Sequence, residues 1–375
     1  MANLKPRIME KVLEGKMRKK TFDLTGKFYG NYSFGNIYHI LFSDEELLNL
    51  KLYLKQDLLK SKVLKKIKNY HIMDVGTGRQ SIAFHKLGAK KISHYDISKE
   101  HVKRFKKYLK AKSLYKKISS YNKNLVKDKL PKEKFDFIFL NGILQHFSDV
   151  SKGLHNCANS LKINRKIWCY FYRSGTFRWF VNSMIRDLIK NIKIDEAFYS
   201  SALVHSYGKV SNPTVSEIMD DLFVPHINLF TPYQYKVFME EIGFKLVKKI
   251  NIKNFKNIDH KNSHHSGVMV FEKIKETKKI EVIPKKKLLS KANSINQLNK
   301  KYYKSHLKIK ECINLFDQLK RQLKKNKSKI LVWSLILSLH KISNKLYYTG
   351  KEFPPDYENL KKSLVVAIKS LKPIK

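Results

Sequence analysis

Cysteine is scarce in this chain: three among 375 residues. They fall at positions 157, 169 and 312, at unrelated spacings and with no CxxC pair. A disulfide framework is therefore excluded, and a reducing cytoplasm is the expected setting. Arginine is scarcer than the charge suggests, because the net +46 comes from 77 basic residues of which 9 are Arg, set against 31 acidic ones. Arg is the residue of choice for bidentate phosphate and base contacts, so this balance weakens a nucleic-acid reading that a lysine count alone would favour. The accompanying wealth of Ile, Asn, Phe and Tyr reads as an AT-rich coding bias that supplies lysine without selection. Long apolar runs are missing as well. The longest near the C-terminus, ILVWSLILSLH at 330–340, is well short of the roughly 17 residues a spanning helix needs, and reads as a buried helix. The N-terminal MANLKPRIMEKVLEGKMRKKTF is basic without an apolar stretch, so neither a signal peptide nor a membrane anchor is expected.

What is present is ample material for a packed interior, with 42% hydrophobic and 12% aromatic residues. The length allows two domains, since single cores stop growing near about 250 to 300 residues. From residue 70 onward, apolar runs alternate with amphipathic segments, the pattern of a parallel sheet covered by helices. Strands are predicted at 70–75, 91–96, 117–121, 135–140 and 166–172. Ser98 is placed to cap a helix over 99–111, and Asp149 or Ser151 to cap one running to Leu161. Residues 1–64 read as an N-terminal helical cap, and 173–230, rich in aromatics and histidines, as a mostly helical insertion over the substrate side. TPYQYKVFMEEIGF predicts a helix opened by Thr231 and Pro232 and ended by Gly243. Strands at 244–250 and 267–274 then form a hairpin that closes the domain near 275. A linker over 276–290 leads to a basic helical unit over 291–375. Residues 273–375 hold 27 Lys and Arg against 7 Asp and Glu, a net +20. That is about twice the charge density of the rest of the chain, so RNA or an anionic surface is a candidate partner for this end.

The stretch HIMDVGTGRQSIAFHKLGAKKISHYDIS at 71–98 carries the chemistry. Asp74 ends one strand, and Gly76 and Gly78 occupy the turn before a helix that starts near Arg79, so the backbone there can approach a ligand. Asp96 ends the next strand, where a carboxylate can accept hydrogen bonds from both hydroxyls of a ribose. One nucleoside would span the two strand ends. The dinucleotide fingerprint G-x-G-x-x-G requires a third glycine at position 81, which is Ser81 here.

DVGTGRQ instead resembles motif I, D-x-G-x-G-x-G, of the class I S-adenosylmethionine-dependent methyltransferases, with Gln80 at the third glycine. FDFIFLNGILQHFSD resembles the fourth-strand motif of that family, LKINRKIWCYFY its following helix end and fifth strand, and DDLFVPHINLFTPYQYKVFMEEIGFKLV the late segment of its small-molecule members. The resemblance covers about residues 65–275. It implies an α/β, doubly wound, Rossmann-like sheet of seven strands with the last antiparallel, followed by a helical C-terminal extension. It also implies S-adenosylmethionine as cofactor, bound by Asp74, Gly76, Gly78, Asp96, Ile97 and Asn141, with Asn122 or Asn124 near the adenine.

An acceptor hydroxyl needs a base to take its proton. His146, five residues beyond Asn141, is the leading candidate, and His226 in VPHINLFTP is a second. His205 and Tyr207 are further residues that could face substrate. Asp220 and Asp221 read as solvated charges at a helix end, with a substrate hydroxyl or amine as the alternative. DHKNSHHSG supplies Asp259, His260, His264 and His265, which are metal ligands by chemistry but lie in a hairpin loop far from the donor, so no metal is expected. Neither the proline pair and aromatic of base-amine methylation nor a thiol nucleophile follows the fourth strand. The expected acceptor is accordingly a small metabolite, lipid head group or saccharide. RNA methylation through the basic C-terminus, and a non-catalytic cofactor-binding scaffold, are the alternatives.

Overall fold

The computed structural model describes residues 42–172, 220–230, 232–250 and 266–277, together with Gly26, Tyr29, Trp179, Asn182, Arg186, Leu315, Gln318 and Arg321. Most of the N-terminal cap and of the 173–230 insertion, with His205, Tyr207 and Thr231, lies outside them. So do the histidine loop at 259–265, the linker beyond 277, and the basic C-terminal unit save for three helical positions.

The elements run α1 (Asp44–Leu54), β1 (His71–Val75), α2 (Arg79–Lys86), β2 (Lys91–Asp96), α3 (Lys99–Ala111), β3 (Ile118–Asn122), β4 (Phe135–Asn141), α4 (Val150–Ser160), β5 (Leu161–Tyr172), α5 (Pro232–Glu241), β6 (Phe244–Ile250) and β7 (Ser266–Lys273). A π turn at Lys55–Lys60 and a 3-10 turn at Leu144–His146 complete the list. The seven strands form one sheet in the order β3-β2-β1-β4-β5-β7-β6. All neighbouring pairs are parallel except those made by β7, which is antiparallel to both β5 and β6. The chain thus builds outward from β1 to β3, then returns to the opposite side of β1 with β4. That reversal opens a crevice beyond the C-terminal ends of β1 and β4, where open α/β sheets bind their ligands.

Burial on both faces explains the near-continuous apolar runs of β1, β4 and β5. Alternate side chains divide between two layers. Met73, Ile138, Leu140 and Phe171 pack with α4 and α5, whereas Ile72, Phe137, Phe139 and Trp168 pack with α1, α2 and α3. Helix starts follow their caps. Ser98 Oγ accepts from the His101 amide at 3.2 Å and Asp149 Oδ1 from the Lys152 amide at 2.9 Å. The seven strands with the last antiparallel, the β6–β7 hairpin and the Ser98 cap agree with the sequence reading. β5 differs, starting five residues earlier, at Leu161. Leu161 already pairs with Phe135, and the register shift before Phe137 admits the polar stretch that the pattern alone had kept out of the strand.

Candidate active site

The two glycines of the β1 turn answer to different neighbours. Gly76 has a φ of 123°, and a Cβ there would meet no atom nearer than Ile143 Cδ1 at 3.4 Å. Its bare backbone is therefore a wall of the cleft. Gly78 has a φ of 93°, and a Cβ there would lie 2.7 Å from the Phe105 ring. It is required by α3, whose aromatic fills that space. The Gly76 amide donates to Tyr95 O at 3.0 Å. Its carbonyl accepts from His94 Nε2 at 2.5 Å, while His94 Nδ1 meets Ser120 Oγ at 2.8 Å. A carbonyl can only accept, so Nε2 carries the proton and Nδ1 accepts from the serine. Burial pushes the His94 pKa down, which keeps the ring in this neutral form.

Asp74 stands behind the loop rather than on the cleft. It is fully buried, and its Oδ2 accepts from Ser81 Oγ at 2.6 Å, tying strand end to helix start. Burial pushes its carboxyl up to about 7. Gly78 likewise is absent from the cleft wall, whereas Gly76, Asp96, Ile97 and Asn141 line it. Gln80, at the third-glycine position, lines it too. It is 5% exposed, and its Oε1 has no hydrogen-bond partner.

The cleft has a volume of about 190 Å³. At its β2 end, Asp96 is held from two sides: the Ser98 amide donates to Oδ1 at 2.6 Å and His101 Nδ1 to Oδ2 at 3.1 Å. A carboxylate has about four lone-pair sites, so two stay available for ribose hydroxyls. Asn122 is not on the wall. Its Nδ2 donates to the carbonyls of Asp96 and Ile97, at 3.0 and 2.8 Å, and so shapes the bend that presents both. Asn124 accepts from the amides of Val126 and Lys127, an Asx turn, and the wall there is formed by Lys123 and Leu125. Gly26 approaches this end closely. A Cβ on the helical residue Gly26 would lie 2.7 Å from Ile97 O.

The opposite end is assembled from distant segments. His146, 8% exposed, donates from Nδ1 to the carbonyl of His226 at 3.0 Å and accepts at Nε2 from Gln145 Nε2 at 3.2 Å. The neutral ring therefore keeps its lone pair on Nε2. Asp220 Oδ2 lies 3.6 Å from that nitrogen. Asp220 Oδ1 accepts from Tyr29 OH at 2.6 Å and Oδ2 from Tyr172 OH at 3.1 Å. Burial, reinforced by Asp220, pushes the Tyr29 pKa well up, so its hydroxyl stays a donor. His226 enters the site through its backbone; its side chain is not on the cleft wall. The solvated reading of the acidic pair is corrected: Asp220 is 6% and Asp221 1% exposed. Asp221 is fixed by Asn182 Nδ2 at 3.3 Å, while Arg186 donates to its carbonyl. Sequence reasoning missed Tyr29, Tyr172, Gln145 and His101. For His101 there was a signal, the spacing of five residues from Asp96 across a Ser cap. For Tyr29 there was none, since 191 positions separate it from Asp220.

Among the described residues no helix is long and apolar enough to cross a membrane, and no group of three metal-ligating side chains occurs. Residues 73–169 match the family model described as a methyltransferase domain. A comparison with curated proteins gives no match. Among solved structures, the chain is similar to the YcgJ protein of Bacillus subtilis at 14% identity, covering 61% of this chain and 99% of that one, with a TM-score of 0.39. It is also similar to the 1,6-didemethyltoxoflavin-N1-methyltransferase of Burkholderia thailandensis, which holds 1,6-didemethyltoxoflavin and S-adenosylhomocysteine, at 12% identity, 68% and 88% coverage and a TM-score of 0.40. A SAM-dependent methyltransferase from Aquifex aeolicus is similar at 14% identity, 62% and 99% coverage and a TM-score of 0.36. The bare Gly76 backbone, the half-occupied Asp96 carboxylate and the partnerless Gln80 Oε1 suit a nucleoside that ends in an amino acid, in keeping with the matched domain. Residues 73–169 thus carry a methyltransferase domain, with S-adenosylmethionine as its cofactor.

Proposed function

We propose that the enzyme methylates a small-molecule acceptor (a metabolite, lipid head group or saccharide) bound at the His146 end of the cleft. The observation that carries this reading is that one cleft of about 190 Å³ is lined at one end by Gly76, Asp96 and Ile97 and at the other by His146, Tyr172 and Asp220. When bound, the cofactor supplies an activated methyl group on a sulfonium, so the protein's part is alignment and proton removal. Gly76, Asp96, Ile97 and Asn141 would hold it, with Asp74 and Gly78 supporting the loop from behind. His146 Nε2, its lone pair set by the Nδ1 bond to His226 and released when the Gln145 amide gives way, takes the proton that the acceptor loses. Asp220, 3.6 Å away, stabilises the positive ring that results. Tyr29 reaches Asp220 across the cleft and, with Tyr170, Tyr172 and Phe147, excludes water from the acceptor end.

The test is to incubate cell extract with the enzyme and methyl-labelled cofactor and to separate small molecules from RNA. Label is expected in the small-molecule fraction, and to be lost in His146→Ala. Label confined to RNA would overturn the proposal.

A further inference from the structure

The acceptor end of the cleft holds a buried carboxylate, Asp220, whose nearest cationic group among the described residues is an imidazole. Asp220 is 6% exposed, and its hydrogen bonds come from the neutral hydroxyls of Tyr29 and Tyr172. Among the described residues no lysine or arginine pairs with it, and its one ionisable cationic neighbour is His146, whose Nε2 lies 3.6 Å from Oδ2. In the neutral ring that Nε2 is itself an acceptor, because Nδ1 must donate to the His226 carbonyl. Two acceptors thus stand side by side and shielded from water, with aromatic rings on either hand; the Nε2 lone pair is engaged by the Gln145 amide at 3.2 Å, a contact that an incoming N–H donor takes over. The His146 ring meets those of Tyr29 and Tyr172 edge-on, at 5.5 and 5.9 Å between centroids.

The chemistry that satisfies such a pair is specific. A hydroxyl brings one proton and no charge, so it serves one acceptor and leaves the carboxylate unbalanced. A carboxylate or phosphate on the acceptor would be repelled. A primary or secondary ammonium brings at least two N–H donors and a positive charge, and suits both oxygen and nitrogen at once. Aromatic walls add attraction for a cation that they would not give an alcohol.

We infer that the acceptor is a basic amine, docked as its ammonium between Asp220 and His146 Nε2 and methylated on nitrogen. The inference rests on the small-acceptor reading above. The ammonium gives one proton to His146 Nε2, and the methyl group supplied by the cofactor takes its place on nitrogen. The amine then leaves as a methylated ammonium, the cofactor as its neutral thioether, and the proton passes from His146 to water.

The probes are benzylamine, cationic at neutral pH, and benzyl alcohol, its neutral counterpart. Both are titrated calorimetrically into protein saturated with S-adenosylhomocysteine, which carries no sulfonium charge. Benzylamine is expected to bind at least about 10-fold more tightly than the alcohol, and Asp220→Asn to remove that preference while S-adenosylhomocysteine binding is unchanged. Tyr172→Phe, which keeps the charge, should keep the preference, and it decides the matter if Asp220→Asn does not fold. Equal affinity for the two probes, no heat from benzylamine, or a preference that survives Asp220→Asn would overturn the inference. So would an Asp220→Asn variant that weakens S-adenosylmethionine relative to S-adenosylhomocysteine yet leaves benzylamine untouched, since the carboxylate would then serve the cofactor's sulfonium. Loss of S-adenosylhomocysteine binding by the wild type would instead strike the reading on which the inference rests.

Discussion

The two ends of the cleft are built by different means. At the cofactor end the hydrogen bonds that set the site join residues within about thirty positions of one another: Asp74 to Ser81, His94 to Gly76 and Ser120, and Asp96 to Ser98 and His101. At the acceptor end Tyr29, His146, Tyr172, Asp220 and the His226 carbonyl converge, with hydrogen-bonded partners up to 191 positions apart. The first end is fixed by strand order and turn geometry. The second depends on Tyr29 and Asp220 meeting residues at the ends of the sheet strands, so it can change its residues without disturbing the sheet beneath. The division teaches where constancy and variation should lie: cofactor affinity belongs to the local end, acceptor identity to the long-range one.

This separation can be broken by substitution. The largest effect is expected from His146→Ala, which removes the group that accepts the acceptor's proton. Turnover should fall about 100-fold or more, with S-adenosylhomocysteine affinity within about 2-fold of wild type in calorimetry. An equal loss at both ends would mean that the ring supports the whole cleft. Asp96→Ala comes next, with cofactor affinity expected to fall roughly 10- to 100-fold, as removing hydrogen bonds to a charged acceptor costs about 1.5 to 3 kcal/mol. Gly78→Ala acts on packing rather than chemistry. Its methyl would need to displace the buried Phe105 ring from 2.7 Å, and its φ of 93° disfavours any side chain, so a loss of about 1 to 3 kcal/mol is expected in denaturant unfolding.

The smallest effect on the cleft, and one that sharpens the comparison, is the pH dependence of Asp74. Its carboxyl is raised from 3.8 to about 7 by burial, so the folded state binds the proton more tightly than the unfolded one. The stability this contributes is fully present below pH 3.8 and is lost as pH rises through about 7. Asp57, also raised to about 7 by burial, adds a change of the same sign. His71, lowered to about 4 chiefly by burial, works the other way between pH 4 and 6.5. Stability of wild type relative to Asp74→Asn should therefore fall between pH 5 and pH 8. A rise over that interval would show that Asp74 folds as a stabilised carboxylate.

Much of the sheet was legible in the sequence, because burial on both faces writes strands as apolar runs and turn glycines punctuate them. β2 and β6 match their predicted bounds, and Ser98 caps α3 as expected from a serine placed before an amphipathic stretch. β5 was under-read because Lys162, Asn164 and Arg165 sit on a bulged stretch where one side reaches water. Gly76 and Gly78 looked alike in the motif, yet only the three-dimensional position of Phe105 separates the one that faces the cleft from the one that admits a core ring. Asp220 was misjudged for a physical reason. An Asp-Asp pair reads as solvated unless the donors that satisfy it are known, and Tyr29 and Tyr172 are remote in the chain.

The most direct test of the divided cleft is a calorimetric titration of S-adenosylhomocysteine into wild type, Asp96→Ala and Asp220→Asn side by side. Binding should weaken roughly 10- to 100-fold in Asp96→Ala and stay at the wild-type level in Asp220→Asn. Wild-type affinity in Asp96→Ala would contradict the account at its base.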